Sequence, residues 1–504
     1  MNIKKQSWII LFLIALPIAC QTTHHVESEK KPKKGYFDSI TDKLTGTPSP
    51  QEHKTTGISY FKKGMTDEAL EELKLASKEI QGDAELHYYL GKAYYENDKF
   101  DEAITDLLAA TSYYKTTQTL EKAEAYNDLG LAYKKKNAFT EALSAFKESL
   151  ELNPSVADTN YNLGLLYYEK DMLDDCITYL KKSVKLDTNS VDAHFMLGLA
   201  YYKKKSIDKA ISEFKQTIEL NPKDAEAHNY LGKLYYVQGA IGKSIVEHKS
   251  AIKYNKNYPE AFNNLGIALY ANGNLKEAEN AFKKALELET NFAEAHYNLG
   301  LIYSEEDRQE DAIASLEQAV KLDPKIAEAH FKLGEIYVAE DMLEKALSEY
   351  KKAIDINPGY SDAYYNYGEI LAAKGNHDKS IAAWKKTIEL NPKYADAYFN
   401  LGVAYYNQGK LDKAISMWTK VIEINPDDYD ALTNLADVYY EKGLTDSAIQ
   451  TWEKRKRFLK TPEIVAFAPP QISIDTETAK KALANRVIHR VDIAINLNQM
   501  IYFS

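Results

Sequence analysis

The sequence predicts an all-α protein, a solenoid of about twelve helix-turn-helix units, and three observations carry that prediction. A glycine recurs at 57, 91, 130, 164, 198, 232, 266, 300, 334, 368 and 402, with Ala436 in the next place; from 130 onward every step is 34 residues, and only the step from 91 to 130 is longer, at 39. Each period holds two stretches with apolar residues at helical spacing. Nothing in the composition suggests a sheet. A fixed period over most of a chain decides the fold before any motif does, and a stack in which each unit packs only on its neighbours lets 504 residues fold without one large core.

The unit Pro259–Phe292 shows how one period is built. Its first helix runs to about Ala271 and is ended by Gly273, because glycine accepts the left-handed conformation of a helix end. Gly64, Gly239, Gly375, Gly409 and Gly443 hold the same place elsewhere, with Asn137 as a substitute. The second helix, about Leu275–Leu288, places Ala278, Phe282 and Ala285 on one face. The slot of Ala278 is always small, including Cys176, Ser244 and Ser380, so the two backbones should approach closely there. The slot of Phe282 is mostly large and apolar, as in Leu107, Phe146, Phe214, Tyr350, Trp384, Trp418 and Trp452. Asn-Pro or Asp-Pro pairs at Pro154, Pro222, Pro324, Pro358, Pro392 and Pro426 then break the second helix.

These residues resemble the tetratricopeptide repeat, with its 34-residue period and its Leu-Gly, Tyr, Ala, aromatic and Pro positions. The tyrosine position is filled by Tyr94, Tyr133, Tyr167, Tyr201, Tyr235, Tyr303, Tyr337, Tyr405 and Tyr439. The family's tryptophan position departs, holding His87, His194, His228, His296 and His330 or other residues. The resemblance covers roughly 50–462. It implies a right-handed solenoid, more than one superhelical turn for twelve units, and first helices that line a concave groove.

Taken from its start, the chain reads MNIKKQSWIILFLIALPIAC, with Lys4 and Lys5 ahead of an apolar run, Ser7 to Ile18, that is too short for a comfortable permanent span. This looks like a bacterial lipoprotein signal peptide over 1–19, with Cys20 the lipid-bearing first residue of the mature protein. Pro17 stands where such signals usually carry Leu, and Leu16 is one place back. An ordinary cleaved signal or a short uncleaved anchor are the other readings. That resemblance implies a bacterial cell-envelope protein, held to a membrane by its lipid on the periplasmic side or the cell surface. Residues 20–49 hold Lys30, Lys31, Lys33, Lys34, Pro32 and Pro48, with Pro50 just beyond, and few large apolar side chains; such a segment cannot bury enough surface to fold and reads as a tether. Units one and two occupy 50–117 and are looser than the rest, as terminal repeats often are. Five extra residues, Gln118 to Lys122, fall at a junction, where they should lengthen a helix or loop or mark a division. Units three to twelve fill 123–462. The tail, 463–504, leaves the period at Thr461-Pro462 and reads as a cap over the last unit.

The chemistry-bearing motifs are few. The net charge of -11 argues against a nucleic-acid-binding surface. Six of the eleven histidines (His53, His87, His194, His228, His296, His330) share one slot, but equivalent helices lie roughly 8–10 Å apart while zinc ligands sit about 2 Å from the metal, so packing is the expectation and no metal or other cofactor is assigned. Gly239 to Ser244 imitates half of a phosphate loop, with Val237 where its first glycine belongs and no strand before it. Cys176 reads as an inert core residue. An acid at the second position of every unit after the first (Glu85, Glu124, Asp158, Asp192, Glu226 and onward) suits a helix N-terminus and would also make one rim of the groove acidic.

The functional signal is the face of the first helices, at positions five, six and nine of the unit. Asparagine fills position six at Asn162, Asn264, Asn298, Asn366, Asn400 and Asn434; aromatics fill position five at Tyr161, Phe195, Tyr297, Tyr365 and Phe399, where the unit of Pro259 instead has Asn263; Leu165, Leu199, Ile267 and Leu301 fill position nine. An amide row can pair with the backbone of an extended peptide whatever its sequence, and the apolar neighbours anchor it. The expected function is a non-enzymatic, membrane-anchored scaffold that captures protein or peptide partners in this groove, with units three to eight foremost. A repeat module serving a transferase-type enzyme in trans, and a purely structural spacer, are the alternatives.

Overall fold

In the computed structural model, residues 48–456 are described, and they contain 24 α-helices and no strand. The expected signal peptide, Cys20, the expected tether up to residue 47 and the expected cap from 463 lie outside the described residues. The chain divides into two compact units, with the boundary between Asn255 and Lys256. In the first, the hairpins are α1 (Pro50–Lys62) with α2 (Thr66–Ser77), α3 (Ala84–Glu96) with α4 (Phe100–Tyr113), α5 (Thr119–Lys135) with α6 (Phe139–Leu152), α7 (Ala157–Glu169) with α8 (Leu173–Leu186), α9 (Val191–Lys203) with α10 (Ile207–Leu220), and α11 (Ala225–Val237) with α12 (Ile241–Tyr254). In the second they are α13 (Pro259–Ala271) with α14 (Leu275–Leu288), α15 (Ala293–Glu305) with α16 (Gln309–Leu322), α17 (Ala327–Ala339) with α18 (Leu343–Ile356), α19 (Ser361–Ala373) with α20 (His377–Leu390), α21 (Ala395–Asn407) with α22 (Leu411–Ile424), and α23 (Tyr429–Glu441) with α24 (Thr445–Lys456). Within each compact unit every helix packs on the next, and first helices of successive hairpins also touch, as α13 touches α15 and α15 touches α17.

Local chemistry sets these boundaries. Asp83, Ser190, Asp224 and Asp428 cap first helices by accepting the backbone N–H three residues on. Ser49 and Glu52 make a reciprocal capping box at α1. At the end of α13, Gly273 has φ +81°, and the N–H of Asn274 reaches back to the carbonyl of Leu269 at 2.9 Å, which closes the helix end. Asn137 takes the same left-handed conformation at 58°, and so do Asp98, Asp171, Lys205, Asp307 and Asp341. The extra residues 118–122 lengthen α5 to 17 residues without breaking the stack, since α4 packs on α5 and α5 on α6.

The core runs along the seam between the two helices of each hairpin. The small slot is fully buried at Ala278, Cys176 and Ser244, and Ser380 is 1% exposed. The eighth-position glycine, however, faces the large residue sixteen places on. A Cβ on Gly266 would lie 2.5 Å from Cε1 of Phe282, and one on Gly300 would lie 2.7 Å from Cγ of Leu316. Glycine is therefore required mainly so that a bulky side chain can lie flat across the first helix, a more specific reason than the backbone-to-backbone approach expected from the small slot. That approach does occur at Gly91, where a Cβ would sit 3.2 Å from the carbonyl oxygen of Ala103. Phe146, Leu180, Phe214, Phe282, Leu316 and Tyr350 are fully buried in this way. In the last hairpin, where Ala436 replaces glycine, Trp452 is only half-buried.

Candidate functional site

The sixth-position asparagines are tied from one hairpin to the one before it. The Asn162 amide donates to Oδ1 of Asn127 at 3.0 Å, and the Asn298 amide donates to Oδ1 of Asn263 at 3.1 Å, each across 35 residues. Asn400 donates to the Tyr365 hydroxyl at 3.2 Å, and that hydroxyl donates to Glu369 at 2.7 Å. Asn366 instead donates to the hydroxyl of Tyr350 at 3.3 Å. At three places position six is thus bonded to position five of the preceding hairpin within the same compact unit, because the turn of the hairpin brings the two side by side.

The expected groove residues fall into two sets by burial. Leu199, Asn263, Asn264, Ile267, Tyr297, Asn298, Leu301 and Tyr365 are buried, while Tyr161, Asn162, Leu165, Phe195, Asn366, Phe399 and Asn400 are half-buried. Asn298 is 1% exposed, and its Oδ1 has no hydrogen-bond partner. Carboxyls at the starts of first helices share this environment. Burial raises the Glu294 carboxyl above its usual range, and Asp323, Glu289 and Glu260 add to the effect. Burial also raises Asp362, outweighing a hydrogen bond from Tyr394.

Aromatic residues just before a first helix escaped the sequence reading. Tyr360 lies 4.8 Å from Phe331, and Tyr394 stacks on Tyr365 with centroids 4.9 Å apart. Their signal is present in the chain, since Tyr258, Phe292, Tyr360 and Tyr394 recur in register with the period. Burial pushes both Tyr360 and Tyr394 hydroxyls well above the ordinary tyrosine range.

The shared histidine slot has a different use. Nδ1 of His53, His87, His194, His228 and His330 lies 2.6–2.7 Å from a carboxylate nineteen residues on, in the partner helix of the same hairpin. Nε2 of His228 also meets the carbonyl of Pro222 at 3.2 Å, and that of His330 the carbonyl of Pro324 at 3.3 Å. With an acceptor at each nitrogen, the His228 ring favours its protonated form. In His228, burial lowers the pKa, but the Glu247 carboxylate and the Pro222 carbonyl outweigh it, and the net shift is upward. These rings tie the hairpin together, and among the described residues no group of three or more His, Cys, Asp or Glu could hold a metal. Cys176 is buried, with its thiol pushed up to about 12. Ser244 is fully buried on α12, so the phosphate-loop look-alike is part of a packed helix. Among the described residues no helix is long and apolar enough to cross a membrane.

Comparison with known proteins agrees with this repeat geometry. Family profiles described as "TPR repeat" match residues 130–171, 201–239, 232–273 and 368–409. Others described as "Tetratricopeptide repeat" match 55–114, 157–190, 257–325, 297–361, 349–382, 395–428 and 417–450. No curated protein matches the chain. Among solved structures, MamA is 32% identical over 35% of this chain and 94% of its own, with a TM-score of 0.33. YrrB, described as a TPR protein with an unusual peptide-binding site, is 27% identical over 36% of this chain and 95% of its own, with a TM-score of 0.32. The APC/C hetero-tetramer Cut9-Hcn1 covers 90% of this chain and 92% of the matched one at 15% identity, with a TM-score of 0.36. Profiles that together span most of the repeat array leave one conclusion, that the chain belongs to the tetratricopeptide repeat family.

Proposed function

We propose that this protein is a membrane-anchored lipoprotein scaffold that binds extended segments of partner proteins along the first helices of its repeats. Tetratricopeptide repeats are generally protein-interaction modules without catalysis of their own. The observation that carries the reading is the recurrence of position-six amides bonded to position five of the preceding hairpin, with the aromatic and aliphatic side chains of positions five and nine on the same helices. Fixed amides beside apolar side chains suit a backbone with alternating polar and apolar edges. Anchoring rests on the sequence around Cys20, whose lipid would hold the complex at a bacterial envelope membrane.

Two experiments test the two halves. A photo-crosslinking phenylalanine analogue placed at Phe399 should give partner adducts in intact cells, while the same group at the exposed Val246 of α12 should not. Adducts from both sites, or from neither, would remove the groove from consideration. Cys20→Ala should abolish labelling by a clickable fatty acid and release the protein from membranes; labelling that persists would sink the lipoprotein reading.

A further inference from the structure

We infer that the first-helix face of the compact unit beyond Lys256 is shaped for a basic segment of a partner protein, one that presents lysine or arginine side chains. This rests on the groove reading above and adds the chemistry of the occupant.

The first argument is a buried acceptor with nothing to accept. The amide nitrogen of Asn298 is spent on Asn263, and Oδ1 of the same 1%-exposed side chain has no partner. Buried polar atoms are nearly always satisfied in native proteins, and a spare acceptor on the first-helix face suits an incoming donor. The incoming group must be a donor, which a backbone N–H, an ammonium or a guanidinium supplies.

Charge gives the second argument. Glu294 stands four residues before Asn298 on α15, on the same side of the helix. The charged groups acting on its carboxyl are Asp323, Glu289 and Glu260, all negative, and the charge acting on Asp362 is Glu335. Position nine also changes along the row, from Ile267 and Leu301 to Glu335 and Glu369. Lys332 answers Glu335 at 3.2 Å, and Tyr365 answers Glu369 at 2.7 Å. A cation arriving here relieves repulsion between carboxyls that are already partly stripped of water.

The third argument is the ring pairs Phe331 with Tyr360 and Tyr365 with Tyr394, whose Tyr360 and Tyr394 members feel the charge of Asp362. An ammonium or guanidinium uses both, a ring face and a carboxylate together. Acceptors, carboxyls and ring faces in one row select a cation and reject an acidic segment.

The test uses the full chain and three fluorescein-labelled peptides of equal length, repeating Ala-Lys-Leu, Ala-Ser-Leu or Ala-Glu-Leu, read by anisotropy. The lysine probe should bind about tenfold or more tighter than the serine probe, with the preference shrinking as salt rises. The pair Glu294→Gln and Asp362→Asn should lower that preference about tenfold with helicity unchanged by circular dichroism. Asn298→Leu, which removes the acceptor, should weaken the lysine probe as well. Removing the same charge from exposed positions on second helices, Glu277→Gln with Glu310→Gln, should leave the preference intact. Equal loss in that control would show diffuse attraction to an acidic protein and overturn the proposal. Equal binding of lysine and serine probes at the Phe399 crosslinking position would overturn the basic-partner inference and leave the groove reading standing, whereas absence of any adduct there would remove both. If converting Lys30, Lys31, Lys33 and Lys34 to Gln tightens lysine-probe binding more than about tenfold, the chain's own basic stretch is the occupant and the partner assignment fails.

Discussion

Gly266→Ala is the sharpest test of how the hairpins are held. The added methyl would sit 2.5 Å from Cε1 and 2.7 Å from Cδ1 of Phe282, inside any real carbon–carbon contact. Phe282 is fully buried, so its ring cannot step aside into solvent. Overpacking of this kind costs about 1–3 kcal/mol. Against it stands the helix preference for alanine over glycine, about 1 kcal/mol. The net in the natural background is therefore a loss of roughly 0–2 kcal/mol. In a Phe282→Ala background, which itself costs about 3–5 kcal/mol, the clash is gone and the same substitution should stabilise by up to about 1 kcal/mol. The double-mutant cycle should thus show a coupling of about 1–3 kcal/mol. Because each hairpin is stabilised by its nearest neighbours, one global melting curve would blur the effect. Amide hydrogen exchange across α13 and α14 reads it locally. If Gly266→Ala stabilises equally in both backgrounds, the ring does not occupy the space above the glycine and the packing argument fails.

Other predictions follow from individual residues. The hairpin α11–α12 carries two histidines of opposite sign: His228 is raised, and its contribution is full below the ordinary pKa of about 6.5 and lost as pH rises through the raised value. His248, wholly buried against Gly232 with its pKa lowered to about 3, favours the neutral ring, so its contribution is full above about 6.5 and is lost as pH falls toward 3. Protection of the α11 and α12 amides relative to their intrinsic exchange rates should peak near pH 6.5, about the ordinary histidine pKa, and His228→Gln should remove the dependence on the alkaline side only. Asp98→Gly should stabilise the α3–α4 turn by about 1 kcal/mol, since Asp98 holds φ 56° where glycine has no steric penalty; a loss of stability by urea unfolding would contradict this. Cys176 should resist alkylation at pH 8 until denaturant is added, because its thiol is buried and pushed up to about 12.

Much of the architecture was legible because its causes are local. Gly273 and Asn137 stop helices through their own backbone preferences, and the helical spacing of Ala278, Phe282 and Ala285 marks the buried face without reference to any other residue. The candidate face was legible only as a pattern of residue types. Asn298 and Asn162 could be seen to recur, but their partners Asn263 and Asn127 lie 35 residues away. The same applies to the histidine slot, whose carboxylates stand nineteen residues on in another helix.

By itself the sequence determined the period, the two helices in each unit, the turn chemistry and the family resemblance, all of which rest on short-range sterics and on spacing along one helix. Only the tertiary structure decided that the recurrent glycine makes room for a flat-lying ring such as Phe282, that Asn162, Asn298 and Asn400 are bonded to the hairpin before them, and that Glu294 and Asp362 are half-buried near like charges. Those facts depend on which side chains meet when hairpins stack, and distance along the chain does not encode that.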